Sequence, residues 1–268
     1  MITGTQFDAM SSPGQRPLQR YAWIMAELAG GAPRSEQATI GDAFAWASHD
    51  PSWISKLILM GLIGLIPIVG AMQQIGWTLT ALDNLRAGRH EVPPAAFRYA
   101  SRGVWLFLAG LIYGLVVAVV FYGGFIAIVL GLPTHSAQQS GTGTGSTNQV
   151  SLLFFPLTFG WMGLFGLVFL ASFVLVPLII EFTDRTGFGG AFNFAGFLRA
   201  IQSSPKETLA AGGLALVSYF ISGIGTYLCY VGLLFTAPYA LTVLAGVLHW
   251  YETRVKPGTL PARTHAKG

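Results

Sequence analysis

Side chains that carry chemistry are few in this sequence, and their spacing does not bring them together. The five histidines, His49, His90, His135, His249 and His265, stand far apart. None forms an H-x-x-x-H pair, which would set two imidazoles on one helix face toward zinc. There is no G-x-S-x-G elbow to expose a nucleophile and no Walker loop. Residues 141–145 read Gly-Thr-Gly-Thr-Gly, yet no lysine follows and no strand precedes, so the run reads as a flexible linker within 133–149. The single cysteine, Cys229, rules out a disulfide within the chain and a cysteine metal cluster, and reads as a small packing residue. The sequence thus nominates no catalytic residue, no metal ligand and no cofactor.

What remains is polar groups set among apolar ones. Lys56, Asp83, Glu181 and Asp184 fall at the ends of apolar blocks, where long side chains reach toward water. None is at an expected midplane, which argues against a proton-coupled pump. Gln73 and Gln74 are the most polar pair inside the first block, suited to hydrogen bonds between helices or to an intramembrane polar contact. Arg86, Arg89, Arg98 and Arg102 crowd one connection. They serve as a topology determinant, and four cations beside a membrane also suit anionic lipid headgroups or an acidic partner.

The elements that hold these groups follow from composition. Of 268 residues 53% are apolar and 10% charged, where a soluble domain carries about a quarter charged. With mean hydropathy +0.58, much of the surface needs a solvent other than water. The net charge of +4 is small, and its distribution speaks of membrane sidedness, not of nucleic acid. Abundant glycine, 34 residues, suits close helix packing in lipid. Four apolar blocks, 54–85, 104–130, 152–180 and 209–250, lie within one transmembrane domain over 38–252. Residues 1–37 read as a largely disordered cytoplasmic tail with a short helix near 18–28 and no secretory leader. Residues 253–268 form a second, basic cytoplasmic tail.

Charge placement sets the topology. Arginines and lysines flank every block except between the second and third, where 131–151 holds no charged residue at all. Basic segments stay inside, so 131–151 is an external loop, and blocks two and three are single spans. Blocks one and four then begin and end inside and need an even number of crossings. Each contains helix breakers: Pro67 and Gly70 in the first, Gly223 and Gly225 in the fourth. The expectation is therefore an all-α polytopic fold, two long central spans bracketed by two Gly/Pro-turned helical hairpins. The first arm, 54–66, is only about 20 Å long at 1.5 Å per residue, which leaves crossing or re-entry open.

Two shorter segments read as interfacial amphipathic helices: 40–49, with Phe44 and Trp46, and 190–203, with Phe192, Phe194, Phe197, Leu198 and Ile201. Each precedes a proline, in Asp50-Pro51 and Ser204-Pro205, and then a hairpin. The repeated order suggests a parallel internal repeat.

Residues 49–103 and 190–251 resemble a bacterial and archaeal membrane family catalogued as domain of unknown function 4013. The resemblance rests on Asp50-Pro51-Ser52-Trp53, Lys56, the run Leu65-Ile66-Pro67-Ile68-Val69-Gly70, then Gly76-Trp77, Arg86-Ala87-Gly88 and Val92-Pro93. Where that family has a tryptophan after the last proline, this chain has Pro94, Ala95 and Ala96. The resemblance implies a multi-span architecture and lends no activity. The function expected is a non-enzymatic accessory or scaffold subunit of the cell membrane, both termini cytoplasmic, packing against lipids and other membrane proteins. The alternative is a permease for a neutral or amphipathic cargo, which would require a polar or lipid-sized crevice between the hairpins and the central pair.

Overall fold

The computed structural model describes residues 39–137, 146–227 and 231–263. The expected N-terminal tail, Cys229 and the middle of the 131–151 loop lie outside them. The described chain is all helical. It runs α1 (Ile40–Ala45), a 3-10 turn (Trp46–His49), α2 (Trp53–Gly64), α3 (Val69–Arg86), α4 (Ala100–Ala137), α5 (Ser146–Thr186), a second 3-10 turn (Phe188–Phe192), α6 (Phe194–Ser203), α7 (Pro205–Tyr227) and α8 (Leu233–Arg254). Four stretches among the described residues are long and apolar enough to cross a membrane: Ala100–Val129, Phe155–Thr186, Pro205–Tyr227 and Leu233–Arg254. α2 is apolar but shorter.

Local chemistry starts the first helix. Thr39 caps α1 through its hydroxyl, which accepts from Asp42 N at 3.2 Å, while Asp42 Oδ2 accepts from Thr39 N at 2.6 Å. That reciprocal box satisfies two donors no helical carbonyl can reach. The Thr39 hydroxyl also donates to Asp42 Oδ2 at 2.7 Å, and this bond with that from Thr39 N holds the Asp42 carboxyl below its ordinary value.

α8 is the hub, packed against α1, α2, α3 and α7. Glycines allow its backbone and those of its neighbours to touch: a Cβ at Gly61 would fall 1.9 Å from Leu234 O, and one at Gly246 would fall 2.4 Å from Ala43 O. α3 and α4 meet the same way, with Gly76 against Tyr99 O and Gly103 against Met72 O. Small residues replace a hydrophobic drive that lipid cannot supply. Two cores result. One gathers Trp46, Leu57, Met60, Trp77, Leu82 and Leu248; the other gathers Leu178, Phe197, Val247 and Tyr251.

Three expectations change. The break in block four falls after Tyr227, and α7 runs unbroken through Gly223 and Gly225. Glycine inside a helix costs only about 1 kcal/mol. At Gly225 it admits α8, since a Cβ there would lie 2.6 Å from Leu233 N. In block one the chain does turn over 65–68, around Pro67, and Gly70 sits in the first turn of α3 against Ile63 O. The segment 40–49 does not lay its tryptophan on a surface. Trp46 is buried, and its Nε1–H donates to Thr242 O at 2.9 Å. α6 buries Gly196, Phe197 and Ala200 and leaves Phe194 and Leu198 exposed.

The proposed repeat gains a physical parallel. Asp50, before Pro51, accepts from Val92 N at 3.1 Å, and Ser204, before Pro205, accepts from Lys256 N at 3.4 Å. In both halves the residue before the proline ties down the segment that leaves the same helix pair.

Candidate functional site

Seven charged side chains converge at one end of the bundle, from four helices. α3 contributes Asp83 and Arg86 in its last turn, and α4 contributes Arg102 in its first. α5 contributes Glu181, Asp184 and Arg185, and α8 contributes Glu252. Helical geometry aims them together, because i, i+3 and i, i+4 positions share a face. Arg86 is the centre. Its Nε donates to Glu252 Oε2 at 2.8 Å, one terminal nitrogen to Asp83 (2.9 Å) and Asp184 (2.7 Å), and the other to Glu252 Oε1 (2.6 Å) and Glu181 Oε2 (3.2 Å). A guanidinium has five N–H donors, and all five are used.

The second layer closes the set. Arg102 binds Asp83 and reaches Asp184 at 3.1 Å. Arg185 binds Glu181 at 3.0 Å and also Glu252, and donates to Pro261 O at 3.2 Å. That last bond brings the C-terminal segment over the cluster, and Arg263 stands 3.6 Å from Glu252. Glu181 is fully buried, and Asp184 and Glu252 nearly so. Carboxylates removed from water in this way need paired cations, and each has one or more. The arrangement is a clamp: it binds helix ends together and presents no free base or nucleophile.

The four arginines singled out from sequence therefore part company. Arg86 is nearly buried and fully paired with carboxylates, while Arg102 pairs with Asp83 and Asp184 and stays a third exposed. Arg89 and Arg98 are exposed, Arg89 bonded to Asn84 Oδ1 and Arg98 lying 5.3 Å from the Tyr99 ring centre. Gln73 is buried and its Oε1 accepts from Tyr99 N at 2.8 Å, a tie between α3 and α4. Gln74 is half-buried against Gly64. Glu252 was not singled out from sequence. The signal available was an acid or D-x-x-R-type pair in the last turn of three separate apolar helices.

A second polar knot holds the connection between α3 and α4. Asp50 accepts from Lys56 Nζ (2.6 Å), Ser52 N (2.8 Å) and Val92 N, and Lys56 Nζ also donates to Val92 O (2.8 Å). Burial raises the Asp50 carboxyl, but the bonds from Lys56 and Ser52 outweigh it and hold it at about 2. Next to it Trp77 Nε1–H donates to Pro93 O at 2.9 Å and the Tyr99 hydroxyl to Pro94 O at 2.8 Å. Ala95 and Ala96 pack onto the first core. Elsewhere, His49 and His90 meet edge to face at 5.8 Å. Among the described residues no group of three or more His, Cys, Asp or Glu is placed to hold a metal ion. A crevice of about 380 Å³ lies between α4 and α5, lined by Gly124, Ile128, Pro156, Leu157, Trp161 and Leu164.

Helices of spanning length tied at one end by a clamp define a multi-pass α-helical membrane protein. Asp50, Lys56, Trp77 and Pro93, scattered over more than forty residues, converge at the knot. The chain belongs to the family described as "Protein of unknown function (DUF4013)", whose model matches residues 59–248. No curated protein and no solved structure matches it.

Proposed function

We propose that this is a non-catalytic accessory or scaffold subunit of the cell membrane, both termini cytoplasmic, which packs against other membrane proteins and lipids. One observation carries the reading. Beyond its packing on α3, α4 is largely open: 6% of its most apolar stretch is buried, and a Cβ added at Gly110, Gly114 or Gly123 would meet none of the described residues within 4 Å. A span left so open by the described residues is suited to meeting another. The orientation is supported by the arginines Arg86, Arg102 and Arg185 at the clamped end, since basic ends stay inside. A permease would call for a crevice between the hairpins and the central pair; the apolar crevice between α4 and α5 does not meet that requirement.

The test is purification of the full chain in mild detergent from its native membrane, with mass spectrometry of what co-elutes. A stoichiometric membrane-protein partner is the expected result. A monodisperse monomer accompanied only by detergent overturns the proposal.

A further inference from the structure

The tip joining α2 to α3 is made wholly of apolar residues and is open to its surroundings. Leu65 is 63% exposed and Ile68 65%, with Ile66 and Val69 exposed beside them. A turn that emerged into water on the far face would draw Gly, Asn, Asp or Ser. This one reads Leu-Ile-Pro-Ile-Val.

Length agrees. α2 has 12 residues, about 18 Å at 1.5 Å each, against about 30 Å of hydrocarbon. α7 and α8 have 23 and 22 residues, about 35 and 33 Å. The outward-facing apolar side chains of α2 begin at Ile54 and continue to the tip. Lys56 and Asp50, tied to Val92, mark the polar end of this arm.

Most of the tip's N–H groups are paired within it, and only that of Ile68 has no backbone acceptor among the described residues. Leu65 N donates to Leu62 O, Ile66 N to Ile63 O, Val69 N to Pro67 O at 2.7 Å and Gly70 N to Ile66 O at 2.8 Å. Pro67 has no N–H to satisfy. The bond from Val69 to Pro67 is a γ-turn centred on Ile68, at φ 65° and ψ −62°. Ile68 is the only residue other than glycine with positive φ among those described. A β-branched residue there is strained. In water glycine or asparagine would relieve that strain. In hydrocarbon an isoleucine is compatible with the solvent, and the tightest turn leaves the fewest polar groups unpaired.

Resting on the membrane reading, we infer that 65–69 is seated among lipid acyl chains, so that α2 and α3 enter and leave by the arginine-bearing side as a re-entrant hairpin, while α7 and α8 cross. The partner of this surface is the hydrocarbon interior of the bilayer.

The test uses the full chain with Cys229→Ala, carrying one nitroxide label at Ile68→Cys or, separately, at Leu65→Cys, in phosphatidylcholine–phosphatidylglycerol vesicles. Collision with oxygen should exceed collision with a water-soluble nickel chelate, and the chelate's access should be several-fold lower than at Arg89→Cys. Chelate access equal to that at Arg89→Cys, from either side, places the tip in water and overturns the inference. A label at Val120→Cys on α4 separates the failures: if that site too is open to the chelate, the membrane reading falls, not the hairpin alone. Without any label, Ile68→Gly should raise the melting temperature and Ile68→Asn should lower it. A tip in water would be stabilised by both.

Discussion

Arg86 illustrates how a buried charge is decided by counting donors. Its five N–H groups meet four carboxylates, so removal of the guanidinium leaves Glu181, buried, with Arg185 alone. Breaking a buried ion pair from one side costs about 3–5 kcal/mol, because the orphaned charge stays behind. Arg86→Gln should lose about that much, measured as a lower thermal midpoint in detergent. Arg86→Lys should recover only part, having three donors and no fork. Adding Glu181→Gln to Arg86→Gln should restore stability, since it deletes one of the stranded anions. Asp50 supplies the pH-dependent counterpart. Its carboxyl lies at about 2 when folded and near 3.8 when free, so its share of stability, about 2 kcal/mol, is complete above pH 4. It is lost as pH falls from about 4 through about 2, when the folded state must bind the proton as well. The difference in midpoint between the wild type and Asp50→Asn should therefore be constant above pH 4 and shrink toward zero by about pH 2.

Among the elements, α3 is the one least like a free membrane helix and most dependent on its neighbours. It buries Gln73, Trp77, Leu79 and Leu82 and meets α4 backbone to backbone at Gly76 and Gly103. Gly76→Ala would put a methyl 1.9 Å from Tyr99 O and force the two helices apart. Overpacking of this kind costs about 1–3 kcal/mol, to be read as a lower melting midpoint. Gly213→Ala, where nothing lies within 4 Å, should be neutral or stabilising. The long apolar helices were legible in the sequence because hydropathy reports on the surrounding solvent, which dominates the choice of residues on these surfaces. The turn after α7 was not. Gly223 and Gly225 read as a break from composition, but whether a glycine turns a chain or admits a neighbour depends on the neighbour, and Leu233 is known only once α8 is placed. The clamp was half legible for the same reason. Asp83, Glu181 and Asp184 were visible at block ends, but their convergence on Arg86 with Glu252 needs the packing of α3, α5 and α8. Trp46 misled because a ring at an expected interface is equally suited to the bundle when a carbonyl such as Thr242 O awaits its N–H.

At the scale of the molecule the two ends differ in kind. One end is cross-braced by the clamp, the Asp50–Lys56 knot and the returning C-terminal segment, which Ser203 and Ser204 hold through Thr259 and Lys256. Away from it α4 and α5 carry on with few partners, and rings such as Phe121 and Phe165, 4.1 Å apart, hold the pair to each other. Bracing concentrated at one end, with apolar surface beyond it that the described residues leave open, is the distribution the proposed docking subunit would need. That contrast separates stability from assembly. A Cβ at Gly114 would meet none of the described residues within 4 Å, so Gly114→Leu should change stability by no more than about 1 kcal/mol and leave the melting midpoint nearly unmoved, with leucine's better helix propensity favouring the variant. If a partner helix packs on that face, leucine holds the two backbones apart and removes the contact. The expected result is an unchanged midpoint with loss of the co-purifying protein. Gly76→Ala should do the reverse, lowering the midpoint while whatever folded protein remains still binds. Retention of the partner by Gly114→Leu would move the docking face off this side of α4.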